Sequence, residues 1–236
     1  MDTIVEGVKK AVLMLVTLDA DIYRITLFTL KVSGIATLIS LAISLPVAFF
    51  IALKDFPGKK ILISLANLGM GLPPTVVGLW VCLLLWRSGP LGRLRLIYTP
   101  TAIVIAQTVI ATPVIMALVT AALQQVDKKL RWHIMALGAT PLQMLFLMVR
   151  EARYSILAAV IAGFGAVISE VGASMMVGGN IAGYTRVLTT AIVLETSKGN
   201  FEDALALSFI LLLMAYLGTL ALTYLQQRRH KDEYGN

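Results

Sequence analysis

Residues 126–153 read VDKKLRWHIMALGATPLQMLFLMVREAR, and they interrupt a sequence that is otherwise soluble in lipid. Gly138 can end one helix in a left-handed conformation, and Thr140 can cap the next helix, with Pro141 at its first position. Gln143 follows Thr140 at the spacing of a capping box. The stretch predicts two short helices outside the bilayer, a lever through which a soluble partner can push on a membrane bundle.

The composition places the rest of the chain in a membrane. Of its 236 residues, 58% are hydrophobic and 14% are charged, and the mean hydropathy is +0.85. A soluble core of this size cannot bury so much apolar surface. Crossing a hydrocarbon core of about 30 Å takes about 20 apolar residues. The sequence thus predicts an all-α membrane protein with about five transmembrane helices, at Ile25–Leu53, Ile61–Trp86, Thr101–Leu123, Tyr154–Val177 and Ala204–Leu225.

The N-terminal segment, residues 1–22, is predicted to lie in the membrane interface. Its apolar part, Ile4 to Leu18, is short and contains Lys9 and Lys10, a pattern that favours the interface over a span. The whole chain, 1–236, is then one transmembrane domain, with residues 126–153 as its principal loop outside the bilayer.

Basic residues beside the spans predict the orientation. Clusters follow the first, third and fifth spans: Lys54, Lys59 and Lys60; Lys128, Lys129 and Arg131; Arg228, Arg229 and Lys231. The positive-inside rule places these clusters in the cytoplasm and the N-terminus outside. Arg87, Arg93, Arg95, Arg186 and Lys198 then lie outside, either as ordinary solvated charges or as contacts for a docking partner or an anionic solute.

Prolines predict interruptions in two spans. Pro73 and Pro74 remove two helix donors from the second span, and Thr112-Pro113 stands within the third. Broken helices are tolerated in a membrane where their backbone is buried or lines a cavity. The two interruptions are therefore predicted to face each other across a pathway that includes Thr75, although a simple packing kink explains either one alone.

The fourth span carries small residues and one acid. Its alanines and glycines allow close helix packing, which is one explanation of them; a lining for a solute path, with Ser169 and Ser174, is the other. Glu170 near the middle of the bilayer costs about 2.5 to 3.5 kcal/mol unless it is paired or wetted. It is expected to pair with a donor such as Arg186 or to lie in water near the outer mouth.

Motifs for catalysis are missing from the sequence. Gly58-Lys59 is followed by Lys60 in a loop, so there is no Walker A motif and no ATP hydrolysis is expected in this chain. The one cysteine, Cys82, offers neither a disulfide nor a thiolate metal site, and His133 and His230 lack companions at ligand spacing. The basic pI of about 9.6 follows from the loops and requires no nucleic acid.

Several motifs resemble the permeases of type I ATP-binding-cassette importers for molybdate and tungstate. The similarity runs through Phe56-Pro57-Gly58-Lys59, Leu72-Pro73-Pro74-Thr75-Val76-Val77-Gly78, Gly89-Pro90-Leu91-Gly92, Leu137-Gly138-Ala139 and Glu170-Val171-Gly172-Ala173-Ser174. Two runs, Arg150–Tyr154 and Glu170–Ile181, resemble the tungstate-specific branch more than the molybdate one. The usual Glu-Ala-Ala opening of the family's coupling loop is replaced here by Trp132-His133-Ile134.

The resemblance implies a MetI-like permease fold in a prokaryotic inner membrane, alternating access by a homodimer, and import of an oxyanion, first of all tungstate. It implies two ATPase subunits that use ATP and Mg, an extracytoplasmic binding protein, surrounding lipid, and no cofactor or catalytic residue in this chain. The implied ATPase-coupling residues are Arg131, Trp132, His133, Ile134, Met135, Ala136, Leu137, Gly138, Ala139, Thr140 and Pro141. The implied translocation residues are Pro73, Pro74, Thr75, Thr112, Pro113, Ser169, Glu170 and Ser174, and the implied docking residues for the binding protein are Arg93, Arg95, Asn180 and Arg186.

Rival classes make different predictions. A molybdate or sulfate permease keeps the importer and changes its cargo. A secondary transporter or channel explains the broken helices but gives no reason for the surface lever. An intramembrane enzyme or assembly scaffold explains Glu170 but requires a catalytic partner beside it, which the sequence does not offer.

Overall fold

The computed structural model describes residues 2–16 and 20–234, and the regular elements of this part of the chain are helical. In order they are α1 (Asp2–Val16), α2 (Ala20–Leu53), α3 (Lys59–Met70), α4 (Pro74–Leu85), α5 (Pro100–Gln124), α6 (Lys128–Ala136), α7 (Pro141–Glu151), α8 (Arg153–Ile168), α9 (Gly172–Gly178), α10 (Leu188–Ser197) and α11 (Phe201–Tyr234). A short 3-10 turn, Gly92–Leu94, lies between α4 and α5.

The described residues contain three to five candidate spans, where the sequence predicts about five. Among the described residues, α2, α5 and residues 201–221 of α11 are each long and apolar enough to cross a membrane. Two bent pairs, α3 with α4 at 101° and α7 with α8 at 77°, raise the number to five if each pair counts as one span. The predicted interruption of the span Ile61–Trp86 is confirmed, because Pro73 and Pro74 prevent the chain from continuing a helix there.

The predicted fourth span, Tyr154–Val177, is also two helices. The chain leaves helical geometry at Ser169–Val171, between α8 and α9. Near the N-terminus, α2 extends from Ala20 to Leu53 with Asp21 in its first turn, so residues 20–22 of the predicted N-terminal segment are part of this long helix.

The predicted interruption in the third span, at Thr112-Pro113, is wrong because α5 is continuous from Pro100 to Gln124 with Pro113 inside it. Pro113 lacks the N–H that would donate to the Val109 carbonyl one turn earlier. Hydrogen bonds tie α2 to α5 beside this point: Ser40 Oγ donates to the Thr108 carbonyl at 3.1 Å, and Ser44 Oγ donates to the Thr112 carbonyl at 3.0 Å. The proline is therefore accommodated in a helix that packs closely against α2.

The core forms where α5 passes between α2 and α8. Ala111, Ile115 and Val119 of α5 are fully buried, and they pack with Ala48 of α2 and Ala159 of α8. Small side chains let these backbones approach closely, which is what holds helices together in lipid. The broken helices pack against this α2–α5–α8 core.

The N-terminal helix α1 packs along the start of α11. A Cβ at Gly7 would meet Leu205 Cβ at 2.7 Å, and Lys10 Nζ lies 2.6 Å from Asp203 Oδ1. The predicted segment 1–22 is thus attached to the bundle over its helical part, while residues 1 and 17–19 lie outside the described residues.

The fold has two distinct ends. Helix α5, 25 residues long and so about 37 Å, runs from the loop 86–99 at one end to α6 and α7 at the other. Arg131 of α6 donates to the Leu53 carbonyl at 3.3 Å, which places the end of α2 beside α6. Two of the predicted basic clusters therefore share an end, as the orientation argument requires.

Candidate functional site

The turn between α6 and α7 has the geometry that the sequence predicts. Gly138 has φ of +72°, and its N–H donates to the Met135 carbonyl at 3.0 Å, which ends α6. Thr140 N donates to Gln143 Oε1 at 2.8 Å, and Gln143 N donates to Thr140 Oγ1 at 3.3 Å. The capping box and the N-terminal proline of α7 are confirmed, so the helix–turn–helix within residues 126–153 is a defined unit.

This hairpin exposes large apolar side chains. Leu137 is 87% exposed, Trp132 is 74% exposed and Phe146 is 68% exposed. A cleft of about 810 Å³ lies along it, lined among others by Leu137, Leu142, Phe146 and Leu45. Contiguous exposed apolar surface of this kind is typical of a protein or membrane contact.

Basic residues surround the base of the hairpin. Lys59 Nζ lies 2.9 Å from Asp55 Oδ1, and this hydrogen bond, with the nearby charges of Arg131 and Lys128, lowers the pKa of the exposed Asp55 carboxyl below its usual value. The lowered pKa reports the positive potential at this end of the molecule.

At the centre of the bundle the turn between α3 and α4 meets the start of α9. A Cβ at Gly172 would meet Thr75 Cγ2 at 2.5 Å, and a Cβ at Gly78 would meet Ala173 Cα at 2.5 Å. Gly69 of α3 is in similarly tight contact with Pro113 of α5. The predicted translocation residues Thr75 and Pro113 thus each lie against a glycine of a neighbouring helix, Thr75 against Gly172 and Pro113 against Gly69.

Glu170 is bound by backbone amides. Its carboxylate is 5% exposed and accepts from Ala173 N at 2.7 Å, Ser174 N at 3.0 Å and Ser174 Oγ at 3.1 Å. The carboxylate therefore caps the first turn of α9, and the positive end of that helix stabilises it. The expected pairing with Arg186 is wrong, and so is the expected wet position.

Three hydroxyl-bearing residues near Glu170 have different surroundings. Ser169 is exposed and its hydroxyl donates to the Gly165 carbonyl at 2.8 Å. Ser174 is completely buried and holds Glu170. Thr189, which the sequence reasoning missed, donates from Oγ1 to the Glu170 carbonyl at 2.9 Å. Of the predicted lining, Ser169 and the exposed residues Pro73, Pro74 and Thr75 have access to solvent or lipid.

The predicted docking residues form two groups at the end opposite the hairpin. Arg93 and Arg95 line a cavity of about 700 Å³ together with Arg87. Arg186 instead donates from Nε to Asn180 Oδ1 at 3.2 Å and from a terminal nitrogen to the Asn180 carbonyl at 3.4 Å.

Tyr98 connects these two groups, and nothing in the sequence pointed to it. Its N–H donates to the Val177 carbonyl at 2.8 Å, its ring lies against Gly179, and its φ is +62°. The one sequence signal nearby is Thr99-Pro100, since Thr99 Oγ1 accepts from Ala102 N at 3.4 Å and caps α5. That signal fixes where α5 begins but says nothing about the contact with α9.

An all-helical bundle with bent spans, a surface helix–turn–helix and a polar opposite end defines a transport permease driven from one side. The chain belongs to the family of binding-protein-dependent transport system inner membrane components, whose model matches residues 44–231. This membership confirms the predicted non-catalytic permease subunit of an importer in an inner membrane, which works with a binding protein and an ATPase.

Relatives extend over most of the chain. It is 45% identical over 203 residues to a probable anion ABC transporter permease protein of Haloferax volcanii, covering 84% of this chain and 87% of that protein. It is 37% identical over 216 residues to the tungstate uptake system permease protein TupB of Peptoclostridium acidaminophilum, covering 92% and 95% of the two chains. The molybdenum transport system permease protein ModB of Escherichia coli is 28% identical over 207 residues, covering 84% of this chain and 90% of that protein.

The fold is that of solved importer permeases. A chain of the inward-facing MetNI methionine ABC transporter matches with a TM-score of 0.70 at 19% identity, covering 88% of this chain and 95% of that chain. A chain of the bacterial ABC transporter that imports alginate matches with a TM-score of 0.73 at 18% identity, covering 91% and 82%. The predicted MetI-like permease fold is confirmed.

Proposed function

We propose that this chain is the transmembrane permease of an ATP-driven importer of tetrahedral oxyanions, with tungstate as its principal cargo. The observation that supports the mechanism is the α6–α7 hairpin, because it is a capped pair of helices with exposed apolar side chains at one end of the bundle. The permease names of the relatives support the cargo: the tungstate proteins are 37% and 32% identical over 92% of this chain, while two molybdenum permeases are 26% and 28% identical.

The hairpin is the docking element for the ATPase in this proposal. Residues Arg131 to Pro141 enter a groove of an ATPase subunit, with Leu137 and Trp132 as apolar anchors, and exposed apolar anchors of this kind dominate binding energy at interfaces. Two copies of the chain enclose one path and bind two ATPase subunits, which bind and hydrolyse ATP with Mg²⁺. The N-terminus lies outside and the C-terminus in the cytoplasm.

Alternating access then follows from the broken helices. ATP-driven closure of the ATPase pair moves both hairpins, and α7 passes this motion to α8 and to the α2–α5–α8 core. The contacts of Thr75 with Gly172 and of Gly78 with Ala173 lie at the breaks, where a few residues can absorb a change in helix angle. Ser169 and the turn Pro73–Thr75 face the path.

The test is elemental mass spectrometry of tungsten, molybdenum and sulfur in cells without this chain and with it restored, at nanomolar external oxyanion. Selective loss and recovery of tungsten supports the proposed cargo. Loss of molybdenum or sulfur keeps the importer and assigns the second candidate, a molybdate or sulfate permease, which the 26–28% identities to such permeases favour. No change in any element contradicts the proposal.

A further inference from the structure

The arginine cavity lies at the end of the molecule opposite the hairpin. It has a volume of about 700 Å³, and its lining includes Arg87, Arg93 and Arg95 beside Trp86 and Tyr98. All three arginines are exposed. The loop that carries them is folded back on α4, because Leu91 N donates to the Leu84 carbonyl at 2.9 Å and Gly89 N donates to the Trp86 carbonyl at 2.8 Å. This backbone arrangement brings three cations to one concave surface.

These guanidinium groups have no acidic partner. Between Asp55 and Asp127 the sequence contains neither Asp nor Glu. Within the part of the chain that the structure describes, the ion pairs involve Lys10, Lys59 and Lys198, and none includes an arginine of this cavity. Clustered like charges add their potentials, so three unpaired arginines around one cavity attract an anion.

The backbone beside the cavity is held in unusual conformations. Arg95 has φ of +51° and Tyr98 has φ of +62°, although neither is glycine. Such conformations cost about 1 to 3 kcal/mol each and persist where the surroundings enforce them, often at binding sites. Here Tyr98 is anchored to α9 by its bond to the Val177 carbonyl, and its ring stands edge-on to Trp86 at 6.3 Å between centroids.

The cavity lies at one end of the helices α4 and α9, which meet at their other end at the contact between Thr75 and Gly172. Helix α4 ends at the cavity and begins at Pro74, beside the contact between Thr75 and Gly172. Helix α9 ends beside Tyr98 and begins at that same contact. The 12 residues of α4 span about 18 Å. The arginine cavity is therefore separated by the length of α4 from the break between α3 and α4.

Glu170, which lies at the break between α8 and α9, does not compete for the arginines. Glu170 is committed to the amides of Ala173 and Ser174 and to the Ser174 hydroxyl. Its negative charge is offset where it lies. Glu170 therefore does not neutralise the arginines of the cavity.

We propose that Arg87, Arg93 and Arg95 form an entry site for a free tetrahedral oxyanion, which they hold between its release from the binding protein and its passage along α4 and α9. This inference rests on the proposed function. Guanidinium forks match oxyanions in geometry and charge. Because the arginines are exposed to water, each contact is weak, which suits a site that must release its ligand as readily as it binds it.

The experiment uses the complete importer, with its ATPase and binding protein, in proteoliposomes and with sodium tungstate as the probe. The variant Arg87→Gln/Arg93→Gln/Arg95→Gln is expected to lower the initial uptake rate about tenfold at saturating binding protein, since such charge clusters raise capture rates by 10-fold or more. The wild-type rate should fall with added salt over the range in which the Debye length drops below about 10 Å, and the variant should lose this dependence. Docking of labelled, ligand-free binding protein is measured in parallel and should stay unchanged.

Two further variants separate charge from geometry and from folding. Replacing all three arginines by lysine keeps the charge but loses the fork, and should restore part of the uptake. Arg93→Gln alone, an exposed change, should lower uptake by a smaller factor and guards against misfolding of the triple variant. Lys198→Gln, at the α10–α11 junction and paired with Glu195, removes a charge outside the cavity and should leave uptake within twofold.

Failure takes distinguishable forms. If uptake by the triple variant returns to wild type at saturating binding protein while docking is weakened, the cavity is a contact for an acidic protein surface and the inference is overturned. If uptake equals wild type at every salt concentration, it is likewise overturned. If the wild type takes up neither tungstate, molybdate nor sulfate, the proposed function fails first and the inference falls with it.

Discussion

The two ends of this bundle present opposite chemistry to water. At the hairpin end Leu137, Trp132 and Phe146 are exposed apolar groups on capped, rigid helices. At the other end Arg87, Arg93 and Arg95 are exposed cations on a folded-back loop. Exposed apolar surface costs free energy until a partner covers it, whereas exposed charge is already hydrated and binds reversibly. The difference suits a partner that stays docked at one end and ligands that come and go at the other.

The largest effect is expected from Gly138→Val. The residue has φ of +72°, and a β-branched side chain is strongly disfavoured there. The turn must rearrange, and the apolar anchors on α6 and α7 are displaced together, so we expect the affinity for the ATPase subunit to fall about 100-fold. Co-purification with the ATPase and uptake of oxyanion measure this.

The matched control is Gly34→Val, because Gly34 lies inside α2 with open space around an added Cβ. This variant should bind the ATPase like wild type, and both variants should insert and melt normally in detergent. Normal docking by Gly138→Val would remove the hairpin from the mechanism.

The next effect is expected from Leu137→Ser combined with Phe146→Ser. Both side chains are mostly exposed, at 87% and 68%, so the isolated fold should keep its stability. Removing two apolar anchors should weaken ATPase binding about tenfold, equivalent to about 1.4 kcal/mol. Titration of the detergent-solubilised chain with the ATPase subunit gives the affinity.

Leu94→Ser supplies the comparison from the arginine end, since Leu94 is also exposed and apolar. It should leave ATPase binding unchanged. An equal loss in both variants would mean that general apolar exposure, and not the hairpin surface, governs the interaction.

A smaller effect is expected at Glu170, which lies between the two ends. Glu170→Gln keeps the size of the side chain but replaces one acceptor oxygen by a donor facing the amides of α9. The free energy of unfolding should fall by about 1 to 2 kcal/mol, while affinity for the ATPase stays unchanged. Thermal denaturation followed by tryptophan emission measures the change.

Ser174→Ala is the companion variant, because it removes one of the three donors to the carboxylate. It should cost less than Glu170→Gln, and the two effects should be non-additive in a double-mutant cycle. Strict additivity would show that the hydrogen bond from the Ser174 hydroxyl to Glu170 contributes nothing to stability.

The smallest effect concerns Asp55 at the base of the hairpin. In the folded chain, the hydrogen bond from Lys59 lowers the pKa of this carboxyl below its ordinary value of 3.8. A lowered pKa means that the ion pair stabilises the fold above the unfolded pKa and that this contribution disappears as the pH falls through the folded pKa. Asp55→Asn should therefore melt slightly below wild type at pH 7, and the difference should vanish in acid.

Lys59→Gln should reproduce that pH profile, since it removes the other partner of the pair. Added salt should also reduce the difference, because both groups are near the surface. A difference between Asp55→Asn and wild type that persists in acid would point to a cause other than the charge.

Sequence reasoning succeeded where a few neighbouring residues decide the structure. The turn at Gly138, the capping box of Thr140 and Gln143, and the break at Pro73 and Pro74 follow from local sterics and hydrogen bonding. The cap that Glu170 supplies is also local, at a spacing of three and four residues. The sequence instead predicted a cationic partner, because an unpaired charge in lipid costs free energy. An acid just before a short helix inside a membrane can be satisfied by capping that helix, without a cationic partner.

Reasoning failed where the outcome depends on what packs against a residue. Pro113 has the same local chemistry as Pro73, yet α5 stays helical where it packs against α2, to which Ser40 and Ser44 bind it through the Thr108 and Thr112 carbonyls. No local pattern around Pro113 contains that information.

By itself, the sequence determined that the chain is helical, lies in a membrane, bends at Pro73 and Pro74, and carries a capped hairpin, because apolar run length, proline and capping act over one or two helical turns. Only the tertiary structure decided that α4 and α9 lie together from Thr75 to Tyr98, that Glu170 is satisfied by α9, and that three arginines share one cavity. Those features depend on contacts between distant segments, such as Tyr98 with Val177 and Thr189 with Glu170. Such contacts form because close packing and the need to satisfy buried polar groups select one arrangement of the whole bundle.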